Sequence, residues 1–231
     1  MLLNKIDQSS QVELEQQVSY WKETLPNAEI HTVVSLDLTD LSKVDDVVSS
    51  VIDQVGRVDV LVNNGGISQR SLVGETPIEV DRKIMEVNFF GAVGLTKALL
   101  PALRETNGQI IVISSISGKF GFFLRSAYAA SKHAVVGVVR ASAIELNKYG
   151  ITVNALCPGY VDTPMLDKGL DVTAARTGKT RDELRAALAL KQPGGRLLTS
   201  DEVASAAIDF ISNGETGQAR WLDATTIGEK K

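Results

Sequence analysis

Gln109-Ile110-Ile111-Val112-Ile113-Ser114-Ser115 is a short apolar run closed by two hydroxyls. Its β-branched composition and lack of polar alternation read as a strand buried on both faces, the kind that parallel sheets contain. Upstream, Val58-Asp59-Val60-Leu61-Val62 is a second such strand, ending in Asn63-Asn64-Gly65-Gly66. Downstream, Ile151-Thr152-Val153-Asn154-Ala155-Leu156-Cys157 is a third, ending in Pro158-Gly159-Tyr160-Val161-Asp162-Thr163. All three carry turn or polar residues at their carboxyl tips, where open α/β sheets bind ligands. The glycines there let a backbone pass close to a bound molecule.

Helical patterns alternate with these strands. Val44, Val47, Val48, Val51, Ile52 and Val55 form one apolar helix face, with Asp40 or Ser42 placed to cap it. Thr76-Pro77 reads as a capping residue and a proline at the first helical position, opening a helix that continues through Asn88 to about Arg104 with a bend at Pro101. Another helix is expected from about Arg125 to Lys148, ended by Gly150, and a last one from Asp201 to Ser212 before a short strand at Arg220 to Leu222. Strands alternating with helices predict an α/β fold, a Rossmann-like doubly wound parallel sheet with helices on both faces.

A length of 231 residues fits one domain over 1–231, and 44% hydrophobic with 23% charged residues is ordinary for a globular chain. A net charge of −4 gives no electrostatic reason to expect nucleic acid as a partner. No run of eighteen apolar residues and no leader pattern is present, so a cytoplasmic chain without a membrane segment is expected. The single cysteine, Cys157, has no disulfide partner and reads as a small core residue. His31 and His133 have no ligand-spaced companions, and no metal is expected.

Within Ser126-Ala127-Tyr128-Ala129-Ala130-Ser131-Lys132, helical spacing puts the Tyr128 phenol and the Lys132 ammonium on one face. A free tyrosine ionises near pH ~10, so a phenol can move protons at neutrality only where a cation favours the phenolate. An ammonium at ~4 Å in an effective dielectric of ~20 contributes about 4 kcal/mol of that stabilisation. A tyrosine and a lysine one turn apart also occur on ordinary solvated helices; the other motifs turn the pair into a candidate centre.

Taken in order, Asp37-Leu38-Thr39-Asp40, Asn63-Asn64-Gly65-Gly66, Asn88, Ser115, Tyr128 with Lys132, and Pro158-Gly159 through Thr163 resemble the short-chain dehydrogenase/reductase family. The resemblance runs from about Val33 to about Asp223. The part from Asn63 to Lys132 is similar to 11β-hydroxysteroid-dehydrogenase-like reductases, and that from Lys132 to Gln218 to bacterial hydroxyacyl and acetoacetyl-thioester reductases.

The resemblance implies hydride transfer between NAD or NADP and a carbonyl or secondary alcohol. Tyr128 would move the proton, Ser115 would orient the substrate oxygen, and Lys132 would stabilise the phenolate and hold the nicotinamide ribose. Asn88 would support a relay water. Asp37 and Leu38 would contact adenine, while Asn64, Gly65 and Gly66 line its ribose, Gly65 standing where the family usually has alanine. Pro158, Gly159, Val161 and Thr163 would follow the nicotinamide side, with Val161 and Thr163 at the carboxamide. Taken singly, Ser115 could merely end a strand and Asn88 could be satisfied within its helix. Family members commonly pair through the two long helices, which implies a homodimer or homotetramer.

The family's opening glycine-rich turn, whose amides hold the dinucleotide pyrophosphate, has no counterpart in this sequence. Residues 1 to 32 read instead as a helix with Leu14, Val18, Trp21 and Leu25 at helical spacing, then a strand beginning near Ala28. The first β-α-β unit is thus expected to be missing, leaving a hole in the centre of the sheet, as in a truncated chain. A non-catalytic remnant that acts as a dimer partner is therefore an alternative to an active enzyme.

Substrate signals point several ways: steroid-like, lipid-like or acyl thioester. Phe120 to Leu124 could form an apolar wall or could pack on the core or a subunit interface. From Pro164 to Arg196, seven basic residues (Lys168, Arg176, Lys179, Arg181, Arg185, Lys191, Arg196) face four acids, which would suit an anionic thioester. A solvated helix face accounts for the same charges.

Overall fold

In the computed structural model, residues 2–4, 31–33, 38 and 40–226 are described. Among the described residues, six parallel strands pair in the order β2-β1-β3-β4-β5-β6. The strands are β1 (Leu2–Asn4), β2 (His31–Val33), β3 (Val60–Asn63), β4 (Gln109–Ile113), β5 (Thr152–Pro158) and β6 (Ala219–Leu222). The helices are α1 (Val44–Val55), α2 (Ile78–Met85), α3 (Ala92–Thr106), α4 (Ser126–Leu146), α5 (Pro164–Thr177), α6 (Arg181–Lys191) and α7 (Ser200–Asn213).

Alternation along the strands splits the core in two. Leu61, Ile110, Val153 and Ala155 face α1, α3 and α4, where Leu95, Leu99, Leu103, Val135 and Val139 meet them. Val60, Val62, Ile111 and Leu156 face the other way, onto Ala207 and Phe210 of α7. Each fully buried leucine of this kind stabilises by roughly 1.5–3 kcal/mol. Register matches Asn63 with Val112 and Ile113 with Leu156, so the carboxyl tips of β3, β4 and β5 emerge on one edge.

The expected central hole is absent. Leu2–Asn4 pairs on one side with His31–Val33 and on the other with Leu61–Asn63. Three residues suffice because an open gap would strand the facing amides and carbonyls of both neighbours. Where the doubly wound order has two strands, one is present. The expected helix through Leu14, Val18, Trp21 and Leu25, and the start of its following strand near Ala28, lie outside the described residues.

Several expected helix starts shift. Asp40 and Ser42 do not cap α1: a 3-10 turn, Leu41–Lys43, precedes it, and Ser42 donates to Asp40 at 2.5 Å. Thr76 does not cap α2 either: Pro77 occupies the cap position, and the Thr76 hydroxyl donates back to the Leu72 carbonyl at 2.9 Å. The long helix is interrupted by a π-helical turn, Glu86–Gly91, and passes through Pro101 to Thr106. Thr180 and Thr199 form reciprocal capping boxes with Glu183 and Glu202 at the starts of α6 and α7.

Candidate active site

The face of α4 turned to the sheet carries Tyr128, Ser131 and Lys132, at positions i, i+3 and i+4. They are 8%, 0% and 5% exposed. Lys132 Nζ donates to the Ile113 carbonyl at 2.8 Å, at the tip of β4, and lies 5.8 Å from the centre of the Tyr128 ring. Among the described residues no carboxylate pairs with it. A buried ammonium without a counter-charge costs several kcal/mol in a structural role, so its retention points to use by something else.

Ser115 follows β4 in extended conformation and caps a 3-10 turn, Ile116–Gly118, its Oγ accepting from the Ser117 amide at 3.1 Å. That acceptor role leaves its hydroxyl hydrogen uncommitted. The turn seats on α4 at Gly118: a Cβ there would stand 2.7 Å from the Lys132 carbonyl oxygen and 2.7 Å from Ser114 Oγ. Ser114 Oγ itself donates to the Lys132 carbonyl at 3.2 Å. The tip of β4 is therefore held against the turn of α4 that bears Lys132.

Asn88 sits in the π turn, where one extra residue re-aims a side chain out of register with the helix. Its Oδ1 accepts from the Ile67 amide at 2.8 Å, and its Nδ2 donates to the Ile67 carbonyl at 3.0 Å and to Ser131 Oγ at 2.9 Å. Ser131 Oγ donates in turn to the Tyr128 carbonyl at 2.8 Å. Asn88 is thus satisfied across the site and not within its own helix. Gly66 lies beside it, a Cβ there falling 3.3 Å from Asn88 Oδ1 and 3.6 Å from Lys132 Nζ.

The structure therefore brings Gly66, Asn88, Ser115, Tyr128 and Lys132 together. Asn64 is exposed and Gly65 half-exposed at the tip of β3. Pro158 ends β5, and Gly159 continues the pairing through its amide to the Leu222 carbonyl at 2.9 Å. Val161 bridges to Leu198, and Thr163 precedes α5 with its hydroxyl donating to the Val161 carbonyl at 3.4 Å. Leu38 is 1% exposed and packs on Gly91, so it belongs to the core and presents almost no surface to a ligand. Asp37 lies outside the described residues. Cys157 is fully buried, and burial above all pushes its thiol up, against opposing pulls from Lys119 and a Ser114 hydrogen bond.

Three further features were not singled out in the sequence. Ser131 could have been found, since it shares the face of Tyr128 and Lys132. Gln192, 6% exposed, pins the turn after β5: its Oε1 accepts from the Tyr160 amide, and its Nε2 donates to the Arg196 carbonyl at 2.7 Å. Arg70 and Arg125 border a cavity of about 560 Å³, within the size range of small-molecule sites. Ile116, just after Ser115, is also on its wall, and the Arg125 guanidinium carbon lies 5.2 Å from the centre of the Tyr128 ring. Phe122, Phe123 and Leu124 form one side of the cavity and α5 and α6 the other, whereas Phe120 packs edge-on to Trp221 at 5.7 Å.

The basic excess expected between Pro164 and Arg196 is largely neutralised locally. Arg181 bonds Asp171 at 2.9 Å, Arg185 bonds Asp162 and Asp167, and Arg196 bonds Glu202 at 2.9 Å. Arg176 lies 3.5 Å from Glu75.

A model of the short chain dehydrogenase family matches residues 7–171. The chain belongs to this family. A family relative, the dehydrogenase/reductase SDR family protein 7-like of Anopheles gambiae, is 45% identical over 148 residues, 64% of this chain and 47% of that protein. The chain thus spans about half the length of the curated relatives it matches. Levodione reductase has a similar structure, with a TM-score of 0.84 at 25% identity over 99% of this chain and 97% of that one. So does an actinorhodin polyketide ketoreductase solved with NADPH, with a TM-score of 0.82 at 30% identity over 96% of this chain and 85% of that one. Among the described residues, no helix is long and apolar enough to cross a membrane.

Proposed function

We propose that this chain is an NAD(P)-dependent oxidoreductase acting on a carbonyl or secondary alcohol, with Tyr128 as the proton-transfer group. The observation that carries this reading is a buried ammonium, without a carboxylate partner among the described residues, beside a buried phenol at the carboxyl edge of the sheet. In reduction, Tyr128 gives its proton to the carbonyl oxygen; in oxidation it takes the alcohol proton. Lys132 favours the phenolate by its charge, and its remaining ammonium hydrogens are available to ribose hydroxyls. Ser115 spends its free hydroxyl hydrogen on the substrate oxygen, orienting it toward Tyr128. Asn88 holds the loop at Ile67 and, through Ser131, the backbone of Tyr128, leaving one Oδ1 lone pair for a relay water.

The residues present fit the nicotinamide end of the cofactor. At Gly66 the absence of a side chain keeps the space beside Asn88 Oδ1 and Lys132 Nζ open, and Thr163 immediately precedes α5. A nicotinamide dinucleotide, as NAD or NADP, supplies the hydride when bound; the NADPH of the similar ketoreductase supports that choice. Asn64, Gly65, Gly66, Pro158, Gly159 and Val161 would line its path. The sequence holds no glycine-rich turn for the pyrophosphate. This favours a second reading, a non-catalytic chain that acts as a dimer partner of an intact relative.

Titration with NADH and NADPH, followed by nicotinamide fluorescence, separates the two. Saturation, with turnover abolished by Tyr128→Phe, is expected. No binding at millimolar cofactor defeats the enzyme reading, and turnover that survives Tyr128→Phe removes that residue from its role. We further assign a homodimer or homotetramer in the cytoplasm, checked by light scattering and by fractionation.

A further inference from the structure

The cavity beside Tyr128 has an unusual charge distribution. Five cationic side chains border it (Arg70, Arg125, Arg176, Lys179 and Lys191), no acid does among the described residues, and most of the rest of its wall is apolar. Arg176 has Glu75 outside the cavity. Arg70 and Arg125 have no acidic partner among the described residues; their recorded side-chain hydrogen bonds go to neutral hydroxyls, Arg70 Nη1 to Thr173 Oγ1 at 2.8 Å and Arg125 Nη1 to Ser68 Oγ at 3.1 Å.

The segments that carry the two arginines are tied together. Ser71 donates its amide to the Leu124 carbonyl at 3.2 Å, tying the segment after β3 to the residue before Arg125. Leu124 takes a left-handed backbone, φ 63°, a costly conformation for a leucine that surrounding contacts must maintain. Arg70 lies against Gly169 of α5, where a Cβ would stand 3.1 Å from its Nε, and that Nε is buried without a partner. Burial foremost, and then the Arg125 charge, push the Arg70 guanidinium below its usual range, against a weaker opposite pull from Tyr160. The structure thus brings two guanidiniums that lack a carboxylate partner among the described residues to the wall of one cavity, whose described lining holds no acid.

We infer that this cavity takes a carboxylate-bearing apolar molecule, its carboxylate between Arg70 and Arg125 and its apolar body along Phe122, Leu170 and Leu188. Planar guanidinium forks match carboxylates bidentately, and the ligand supplies the charge that the protein omits. The inference rests on the oxidoreductase reading only in calling the ligand a substrate. On that reading, the carboxylate anchor beside Tyr128 selects oxo- or hydroxy-acids over neutral ketones. Arg181, bonded to Asp171, takes no part.

The test is calorimetric binding of decanoate and of uncharged decanamide to the whole chain, without cofactor or turnover. Decanoate is expected to bind at least about tenfold more tightly, with an advantage that shrinks as salt rises. Arg70→Gln and Arg125→Gln should each remove about tenfold from decanoate and leave decanamide unchanged, which also reports that the cavity is intact. Equal binding of acid and amide by the unmodified chain overturns the inference, as does undiminished decanoate binding in both variants. Tyr128→Phe should bind decanoate normally. A chain that binds decanoate yet never turns over therefore refutes the enzyme reading alone, and one that turns over neutral ketones but ignores decanoate refutes the cavity assignment alone.

Discussion

Replacing Gly118 by alanine tests how the site is held together. The new Cβ would lie 2.7 Å from the Lys132 carbonyl oxygen, 3.1 Å from its carbonyl carbon and 2.7 Å from Ser114 Oγ. Comfortable contacts lie near ~3.5 Å, so the turn must retreat from α4 by about 0.5 Å or more. The obstacle is helix backbone, which has no rotamer to change. Overpacking of this kind costs about 1–3 kcal/mol, offset by ~0.4–1 kcal/mol from a stiffer unfolded chain. A net loss of about 1–2 kcal/mol corresponds to roughly 2–8 °C in Tm for a chain of this size. Gly121, three residues on, provides the control: it has a negative φ and nothing within 4 Å, so Gly121→Ala gains only the unfolded-state benefit. Thermal and urea unfolding of both variants, with m-values checked against the parent, measures the difference. Equal stability of the two variants would refute the close seating of Ser115's turn on Lys132. Because Ser115 moves with the turn, turnover should also fall more in Gly118→Ala than in Gly121→Ala.

Ser131→Ala leaves one Asn88 amide hydrogen without its partner and should cost about 1–3 kcal/mol in urea unfolding; a neutral result would mean that the Asn88 to Tyr128 chain carries no strain when cut. Glu202 is held below the usual carboxylate range, first by Arg196 and then by the Thr199 amide, against burial. A depressed folded value contributes stability above the unfolded value near 4.5, lost as pH falls through the folded one. Glu202→Gln should therefore cost about 0.5–1.5 kcal/mol at pH 7, with the gap closing below pH ~4; a gap independent of pH sinks the assignment. Cys157, buried and with its thiol pushed up, should resist iodoacetamide in the native chain and react on denaturation, and rapid native labelling would contradict its burial.

What was legible in the sequence followed from local chemistry. The apolar runs at β3 and β4 have no polar alternation because both faces are covered, by α1, α3 and α4 on one side and by α7 on the other. Tyr128 and Lys132 were legible because helical spacing alone places them together. The errors arose where distant groups compete. Thr76 reads as a cap, but the cap position falls one residue later, at Pro77, and the Thr76 hydroxyl turns back to the Leu72 carbonyl. The filled centre of the sheet was hidden because three residues, Leu2–Asn4, have no periodicity to read. Gln192 and Arg70 gave no signal because their partners, Tyr160 and Thr173, lie 32 and 103 positions away.

That division has a consequence for what the family resemblance can carry. Gly66, Asn88, Ser115, Tyr128 and Lys132 are held in place by contacts to the backbone at Ile67, Ile113 and Gly118. The cavity wall is built differently. Helices α5 and α6 are joined at the surface by Arg181 with Asp171 and by Arg185 with Asp167, exposed or part-exposed pairs worth at most about 1 kcal/mol each. Residues there can change at little cost to the centre. Motifs shared across the family therefore speak for the chemistry at Tyr128, whereas the substrate must be read from this chain's own cavity, where Arg70 and Arg125 supply a charge pattern that no motif described.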